Sequence, residues 1–143
     1  MLAKYWRLRM LWVADQTLTY DSGARVVVRC SIWKLVAGVL TYGTTVVEDL
    51  GFGASETIAN GGEVEGSVVT NTDYWGVKGY FKITADADST DGTAYLFLEE
   101  SDDNSNWPSD QTDFDINEDL RLVGVLTFST DAVDESRGTN FEF

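Results

Sequence analysis

Hydrophobic and polar residues alternate along several segments of the chain, with the period of a β-strand that has one buried face. The first such segment is Trp6–Val13. Its apolar side consists of Trp6, Leu8, Met10 and Trp12, and its polar side carries Arg7 and Arg9. A helix fits this segment less well, because Leu11 and Val13 then spoil any single apolar stripe. The pattern therefore predicts an N-terminal strand.

Seven further segments have strand-like patterns and are separated by turn signals such as Gly61-Gly62. They are Arg25–Val36, Thr44–Leu50, Val64–Val69, Val77–Ala85, Thr93–Glu99, Leu120–Phe128 and Arg137–Phe143. We expect residues 86–92 to form a hairpin loop between Val77–Ala85 and Thr93–Glu99, because Asp91-Gly92 suits a tight turn. About eight strands without a convincing helix predict an all-β protein, an antiparallel β-sandwich or jelly roll.

Both ends of the chain carry apolar strands whose partners the pattern leaves open. We divide the chain into an N-terminal strand or arm, residues 1–24, and a β-sandwich domain, residues 25–143. Phe141 and Phe143 near the C-terminus either complete the chain's own sheet or add to the edge of a neighbour. The N-terminal strand poses the same question, since an exposed strand edge invites pairing with another chain.

Composition excludes several kinds of site. The chain has 143 residues, which suits one domain, and 43% of them are hydrophobic, which argues against a disordered acidic tail. Cys30 is the only cysteine and histidine is absent, so neither an intramolecular disulfide nor a Cys/His zinc site can form. The commonest general base is missing as well. No apolar run is long enough to span a bilayer, so we expect no membrane partner.

The charge is unevenly distributed. A net charge of −14 argues against binding to nucleic acid, which depends on neutralising phosphates. Residues 1–34 nevertheless hold six of the ten basic residues and only two of the 24 acidic ones. A basic front segment beside an acidic body could attract a neighbouring copy head to tail. The alternative is a uniformly solvated surface that keeps the protein soluble.

The acidic segment 101–119 is a candidate calcium site. Oxygen ligands for a cage would come from Asp102, Asp103, Asn104, Asp110 and Asp113. The alternative is a hydrated acidic loop without a metal. Residues 86–97 fail as an EF-hand loop, because position twelve, which needs a bidentate glutamate, is Phe97. Calcium is the only cofactor that the sequence suggests.

Aromatic and paired acidic residues raise two further alternatives. Tyr74, Trp75 and Trp107 could stack on sugars as in a glycan-binding module, although loop tryptophans also plug the ends of sandwich cores. The pair Glu99-Glu100 beside Trp107 has the residue types that glycoside hydrolysis needs. Adjacent acids are expected by chance in a chain with 24 of them, so we predict that the protein is not an enzyme.

From about Ser55 onward the chain resembles a family of small virion proteins of tailed bacteriophages. The resemblance rests on four segments, which read ASETIANGGEVEGSVV, YWGVKGYFKITADAD, AYLFLEESDDNSNWPSD and DLRLVGVLTFST. They cover more than half of the chain and consist of turn and core patterns without a catalytic residue. The resemblance implies a β-sandwich structural component of a phage head or tail. Residues 1–50 match nothing in that family, and either a partner chain or the strand Trp6–Val13 could supply a strand that the family has after the equivalent of Phe143.

These observations together predict a non-enzymatic virion structural protein, first of all a capsid decoration or cement protein that binds the head lattice. The alternatives are a tail or fibre adaptor and a glycan-binding β-sandwich module. Expected partners are further copies of the chain, the major capsid protein or other virion proteins, and the expected location is the capsid surface or the tail. The predicted interface residues are Trp6, Arg7, Leu8, Arg9, Met10, Trp12, Phe141 and Phe143. In this interface the apolar residues act as anchors and the two arginines pair with an acidic surface.

Overall fold

The computed structural model describes residues 2–14, 17–19, 26–48, 57–85, 91–128 and 135–143. These residues form eleven strands, a 3₁₀ turn at Pro108–Asp110 and a one-turn helix α1 at Ile116–Asp119. The strands are β1 Tyr5–Ala14, β2 Leu18–Thr19, β3 Val26–Val36, β4 Val39–Glu48, β5 Thr57–Ile58, β6 Glu63–Glu65, β7 Val69–Thr70, β8 Gly76–Ala85, β9 Gly92–Ser101, β10 Arg121–Phe128 and β11 Glu135–Glu142. Within the described ranges no helix has the length and apolarity to cross a bilayer.

The long strands form two antiparallel sheets that pack face to face. The first sheet has the strand order β10-β9-β1-β6, and β7 also pairs with β1. The second sheet has the order β11-β8-β3-β4, and β2 pairs with β5 in a separate two-stranded ribbon. The predicted all-β sandwich is confirmed.

The core lies between the two sheets and is built from the alternate residues that the sequence pattern marks as apolar. From β1 it takes Trp6, Leu8, Met10 and Trp12, all fully buried. They pack with Val77, Phe81 and Ile83 of β8 in the second sheet and with Leu96 and Leu98 of β9 and Phe128 of β10 in their own sheet. Burying a side chain of this kind contributes roughly 1.5–3 kcal/mol. The apolar face of β1 is therefore a main source of the stability of the sandwich.

Strand β1 is a central strand and not an arm. It pairs with β9 along its whole length, from Tyr5 opposite Ser101 to Ala14 opposite Gly92, and its other edge pairs with β6 and β7. In the described part of residues 1–24, the prediction of an arm outside the sandwich is therefore corrected. The chain's own sheet uses both edges of the strand.

The C-terminal strand also completes the chain's own sheet. Strand β11 pairs with β8 over eight residues, from Glu135 opposite Ala85 to Glu142 opposite Lys78. Phe141 is buried in the core and Phe143 packs against that core, with the two rings stacked at a centroid distance of 6.0 Å. Of the two alternatives for this strand, the structure shows the intramolecular one.

Strands β8 and β9 do not form the predicted hairpin. Strand β8 pairs with β3 and β11 in the second sheet, whereas β9 pairs with β1 and β10 in the first. The chain therefore crosses from one sheet to the other between Ala85 and Gly92, and residues 86–90 lie outside the described part. Alternation gives the two faces of each strand but does not give the identity of its neighbour, which is why this prediction was wrong.

Three other features of the strands differ from the sequence pattern. A bulge between Leu122 and Gly124 shifts the register of β10, so Leu122 is 49% exposed although Leu126 and Phe128 are buried. Strand β4 begins at Val39, five residues before the predicted segment Thr44–Leu50. The predicted strand Val64–Val69 is two short strands, β6 and β7.

Candidate functional site

The outer face of the first sheet carries a cluster of ion pairs. Arg7 and Arg9 alternate with the core residues of β1 and therefore point away from the core. Arg7 lies directly opposite Glu99 of β9. Arg7 Nε donates a hydrogen bond of 2.6 Å to Glu99 Oε2, and Arg9 Nε donates one of 3.0 Å to the same oxygen. One carboxylate thus bridges two arginines.

Strand β6 supplies two more acidic residues on the other side of β1. Arg7 Nη1 donates to Glu65 Oε1, and Arg9 Nη2 donates to Glu65 Oε2 at 2.6 Å. Arg9 Nη1 donates to Glu63 Oε2 at 3.0 Å. Two arginines are therefore shared among three glutamates, and the cluster spans three strands of the first sheet. We call these five residues the Arg–Glu cluster.

The acidic loop, residues 102–120, folds over this cluster. Ser109 N donates to Glu99 Oε1 at 2.9 Å, and Arg7 Nη2 donates to Ser109 Oγ at 3.0 Å. The ring of Trp107 covers the Arg7 guanidinium, with its centroid 4.1 Å from Cζ, which is a cation–π contact. Arg7, Glu99 and Trp107 are 7%, 0% and 6% exposed. The loop is therefore hydrogen-bonded to the sheet through Glu99, the most deeply buried charged residue of the cluster.

A second small apolar core holds the other half of the acidic loop on the sheet. Ile116 and Leu120 of the loop pack against Leu11 of β1 and Phe97 of β9. Phe114 joins this group and lies 5.8 Å from the Arg9 guanidinium. Leu96 and Leu98 of β9 alternate with Tyr95 and Phe97, a pattern that predicts cover on both faces of the strand, and the structure confirms this. The outer face of β9 is covered by the acidic loop of the same chain.

The surroundings of Glu99 and Arg9 favour the ionised form of each side chain. Burial works to raise the pKa of Glu99, but hydrogen bonds from Arg7, Ser109 and Arg9 outweigh it and hold the pKa of Glu99 below its usual range. Burial works to lower the pKa of Arg9, but the hydrogen bond to Glu99 and the charges of Glu65 and Glu63 outweigh it, so the pKa of Arg9 is raised. Glu99 and Arg9 are therefore both charged near neutral pH.

This geometry corrects the predicted role of Arg7 and Arg9. Both guanidinium groups are engaged by glutamates of the same chain, and that of Arg7 is also covered by the acidic loop. An acidic surface of another molecule cannot reach Arg7 without displacing that loop. The same holds for the predicted apolar anchors Trp6, Leu8, Met10 and Trp12, because all four lie in the core. Their partner is the second sheet of the same chain.

The candidate calcium ligands serve the backbone of the acidic loop instead. Asp103 accepts hydrogen bonds from the backbone N of Ser105 and of Asn106 and from the Asn106 side chain, which lower the pKa of Asp103 to about 2. Asp110 accepts from the backbone N of Trp107. Asp102, Asn104 and Asp113 are exposed. Within the described residues, no three acidic side chains are arranged to hold a metal ion, so the predicted cage is not assembled.

The three candidate sugar-stacking aromatics lie in different environments. Trp107 is buried, because its ring packs on the Arg7 guanidinium between the acidic loop and the first sheet. Tyr74 is half-buried, and Lys34 Nζ lies 4.8 Å from its ring centroid. Trp75 is 41% exposed. The buried position of Trp107 removes it from any flat sugar-binding surface, and the predicted set of three is therefore reduced to Tyr74 and Trp75.

The most exposed apolar feature is the hairpin formed by β3 and β4, which the sequence reading did not predict. Two residues of positive φ, Ala37 at 50° and Gly38 at 81°, make its two-residue turn, which suits the twist of paired strands. Five large apolar side chains at this end are 41–65% exposed. They are Leu35, Val36, Val39, Leu40 and Tyr42. We call residues 34–42 the hairpin tip.

The hairpin tip overhangs the second sheet. Strand β8 pairs with β3 only as far as Trp33 opposite Gly76, whereas β3 and β4 stay paired up to Val36 opposite Val39. Three residues of β3 therefore extend about 10 Å past the last β8 pair. Both faces of the tip carry apolar side chains, since Leu35 and Leu40 share one face and Val36 and Val39 the other. The signal in the sequence is Gly38 within an uncharged run from Leu35 to Val47.

The comparisons with known proteins leave the family open. The chain matches no protein-family model, no curated protein and no solved structure.

Proposed function

We propose that this protein is a non-enzymatic structural component of a larger assembly, and that the assembly is the virion of a tailed bacteriophage. The observation that carries the proposal is the hairpin tip. Exposed apolar patches on soluble proteins mark surfaces that bind other macromolecules. Here five of the eleven exposed large apolar side chains of the described residues lie together on one overhanging element of a chain with a net charge of −14. Such an element is suited to insertion into a protein lattice.

The rest of the molecule has the properties of a rigid body that carries this element. The Arg–Glu cluster and the second apolar core fix the acidic loop on the first sheet. The resemblance of the segments from Ser55 onward to small phage virion proteins supports the choice of assembly. We place the protein on the capsid surface as a decoration protein, where many bound copies stabilise the lattice by mass action. The alternative is that the protein is a tail or fibre adaptor.

The test is whether the protein is a part of purified particles. Particles from cells that carry the gene are banded on a density gradient, and heads and tails are then separated and probed with an antibody against this chain. We expect the protein in the head fraction. Its presence in the tail fraction alone would favour the adaptor, and its absence from both fractions would refute the virion proposal.

The hairpin tip is tested in the same experiment with a pair of matched variants. Leu40→Asp places a charge in the tip, and Leu122→Asp places the same charge at an equally exposed leucine of β10. We expect Leu40→Asp to be lost from the particles and Leu122→Asp to be retained. Equal retention of both would show that the tip is not the surface that binds the particle.

A further inference from the structure

The outer edge of β4 is open at the hairpin tip. Strand β4 is the last strand of the second sheet, and in the described part of the chain no strand pairs with its outer edge. Its backbone N–H and C=O groups there can pair with another strand. Proteins usually protect such an edge with lysine, proline or a bulge. From Val39 to Tyr42 the strand has neither proline nor a charged residue.

One protective device is present, and it limits the length of the open edge. Between Ser31 and Trp33 the register with β3 shifts, because three residues of β4, Gly43, Thr44 and Thr45, lie opposite the single residue Ile32 of β3. A bulge of this kind bends the edge away from a straight partner. The regular open edge is therefore the short segment Val39–Tyr42.

Charge indicates what can pair with this edge. The body of the protein is strongly acidic, and seven of its acids lie in the segment 101–119 alone, where no basic residue offsets them. Two copies that met body to body would repel each other. The tip carries no acid, and its overhang of about 10 Å is comparable to the Debye length at about 0.1 M salt, about 10 Å. Contact through the tips therefore joins two copies while keeping their acidic bodies apart.

We propose that two copies of this chain dimerise through the hairpin tip, with the segments Val39–Tyr42 paired antiparallel about a two-fold axis. An isologous contact needs a self-complementary patch, and an uncharged apolar strand edge meets that condition. A register centred on Thr41 places Leu40 of one copy opposite Tyr42 of the other, on the same face. The dimer then has one continuous sheet built from both second sheets. The inference rests on the proposed function only in treating the tip as an assembly surface: the strand edge pairs with the second copy, and the two apolar faces of the tip stay available for the lattice.

The first test is the mass of the purified protein by sedimentation equilibrium in about 0.1 M and about 1 M NaCl, between which the Debye length falls from about 10 Å to about 3 Å. We expect the dimer fraction to rise with salt, because salt screens the repulsion of the acidic bodies. Association through the basic N-terminal segment would show the opposite dependence. A monomer at both salt concentrations, or a dimer that dissociates as salt rises, would overturn the proposal.

Matched variants locate the contact. We expect Leu40→Asp to raise the dimer dissociation constant at least about tenfold and Leu122→Asp to leave it within about twofold, since a residue at the centre of an interface carries more than 1 kcal/mol. Both positions are exposed, and thermal melting checks that both variants fold. Equal effects of the two variants would overturn the assignment of the dimer to the tip.

Cross-linking tests the two-fold geometry. In the proposed register Thr41 of one copy lies opposite Thr41 of the other, so Thr41→Cys is expected to form a disulfide-linked dimer on mild oxidation, while Thr72→Cys, also at an exposed position, is not. The native Cys30 is buried. Equal cross-linking of both variants would refute this register.

A monomeric protein that still bands with particles would refute the dimer alone, and a dimer absent from particles would refute the virion proposal alone.

Discussion

Arg7 and Glu99 lie directly opposite each other on β1 and β9, and Arg7 Nε donates a hydrogen bond of 2.6 Å to Glu99 Oε2. The second oxygen of Glu99 accepts from the backbone of Ser109 in the acidic loop. This pair therefore joins the centre of the first sheet to the loop that covers it. Removal of one member of a buried, hydrogen-bonded pair leaves an unpaired charge, which is costly.

The first prediction concerns the charge of Glu99. We expect Glu99→Gln to lower the free energy of unfolding by about 3 kcal/mol, because Arg7 and Arg9 then lose their shared carboxylate while Arg7 remains buried. Urea denaturation followed by tryptophan fluorescence measures the change. Glu118→Gln on the exposed face of α1 is the control, with an expected change within about 0.5 kcal/mol. Similar losses in both variants would contradict the role of Glu99 as the shared partner.

The second prediction is a dependence of stability on pH. The folded-state pKa of Glu99 is lowered, so its contribution is present above the unfolded-state pKa of about 4.3 and is lost as pH falls through the folded-state pKa. We expect the stability gap between the native protein and Glu99→Gln to be widest near neutral pH and to shrink on acidification. Urea denaturation of both proteins over a pH series measures it, and a gap that does not change with pH would contradict the prediction.

The third prediction concerns Trp107. Trp107→Ala removes a buried ring and its contact with Arg7, and we expect a loss of about 3 kcal/mol together with faster proteolysis within residues 101–119. Trp75→Ala is the matched control, and because Trp75 is exposed we expect a loss below about 1 kcal/mol. Thermal melting and timed digestion measure both effects. If Trp75→Ala were the more damaging change, our account of the acidic loop would be wrong.

The fourth prediction compares two strand glycines. A Cβ at Gly79 would lie 2.5 Å from the Arg29 carbonyl oxygen and 2.7 Å from the Phe141 ring, whereas a Cβ at Gly124 would have no neighbour closer than 3.5 Å. We expect Gly79→Ala to destabilise by about 2 kcal/mol, because β3 and Phe141 must shift to make room. Gly124→Ala is expected to be neutral or stabilising. Melting temperatures of the two variants check the order, and the reverse order would contradict the packing around Gly79.

The alternation of residue types was sufficient to find most of the long strands. The pattern over Trp6–Val13 matches β1 to within one residue at each end, and the pattern over Val77–Ala85 matches β8 equally well. The reason is that successive side chains of a strand point to opposite faces, so a strand with one buried face has alternating apolar and polar residues in its sequence. The same holds for the apolar cover on both faces of β9.

The pattern failed where pairing and register decide the outcome. Leu122 continues an apolar alternation, yet the bulge beside it turns its side chain to solvent. The open strand edge at Val39–Tyr42 was missed because a run of uncharged residues has no clear period, and because Ala37-Gly38 is a weaker turn signal than Asn-Gly or Asp-Gly.

The candidate site shows the same division. The alternation places Arg7 on the polar side of the first strand and predicts an acidic partner for it, but the residues that neutralise it are Glu65 and Glu99, far away in the chain. No local pattern connects these positions. Trp107 was recognised as a loop aromatic, and only the path of the acidic loop over the first sheet shows that its ring covers Arg7.

The sequence by itself determined that this protein is built of strands, which residues of β1 face the core, and that its body is strongly acidic. Only the tertiary structure decided that β1 is a central strand, that Arg7 and Arg9 are neutralised within the chain, and that the hairpin tip is exposed. The physical reason is that alternation records whether a side chain is buried. The choice of neighbouring strand depends instead on contacts between residues that are distant in the chain, and these form only when the two sheets pack.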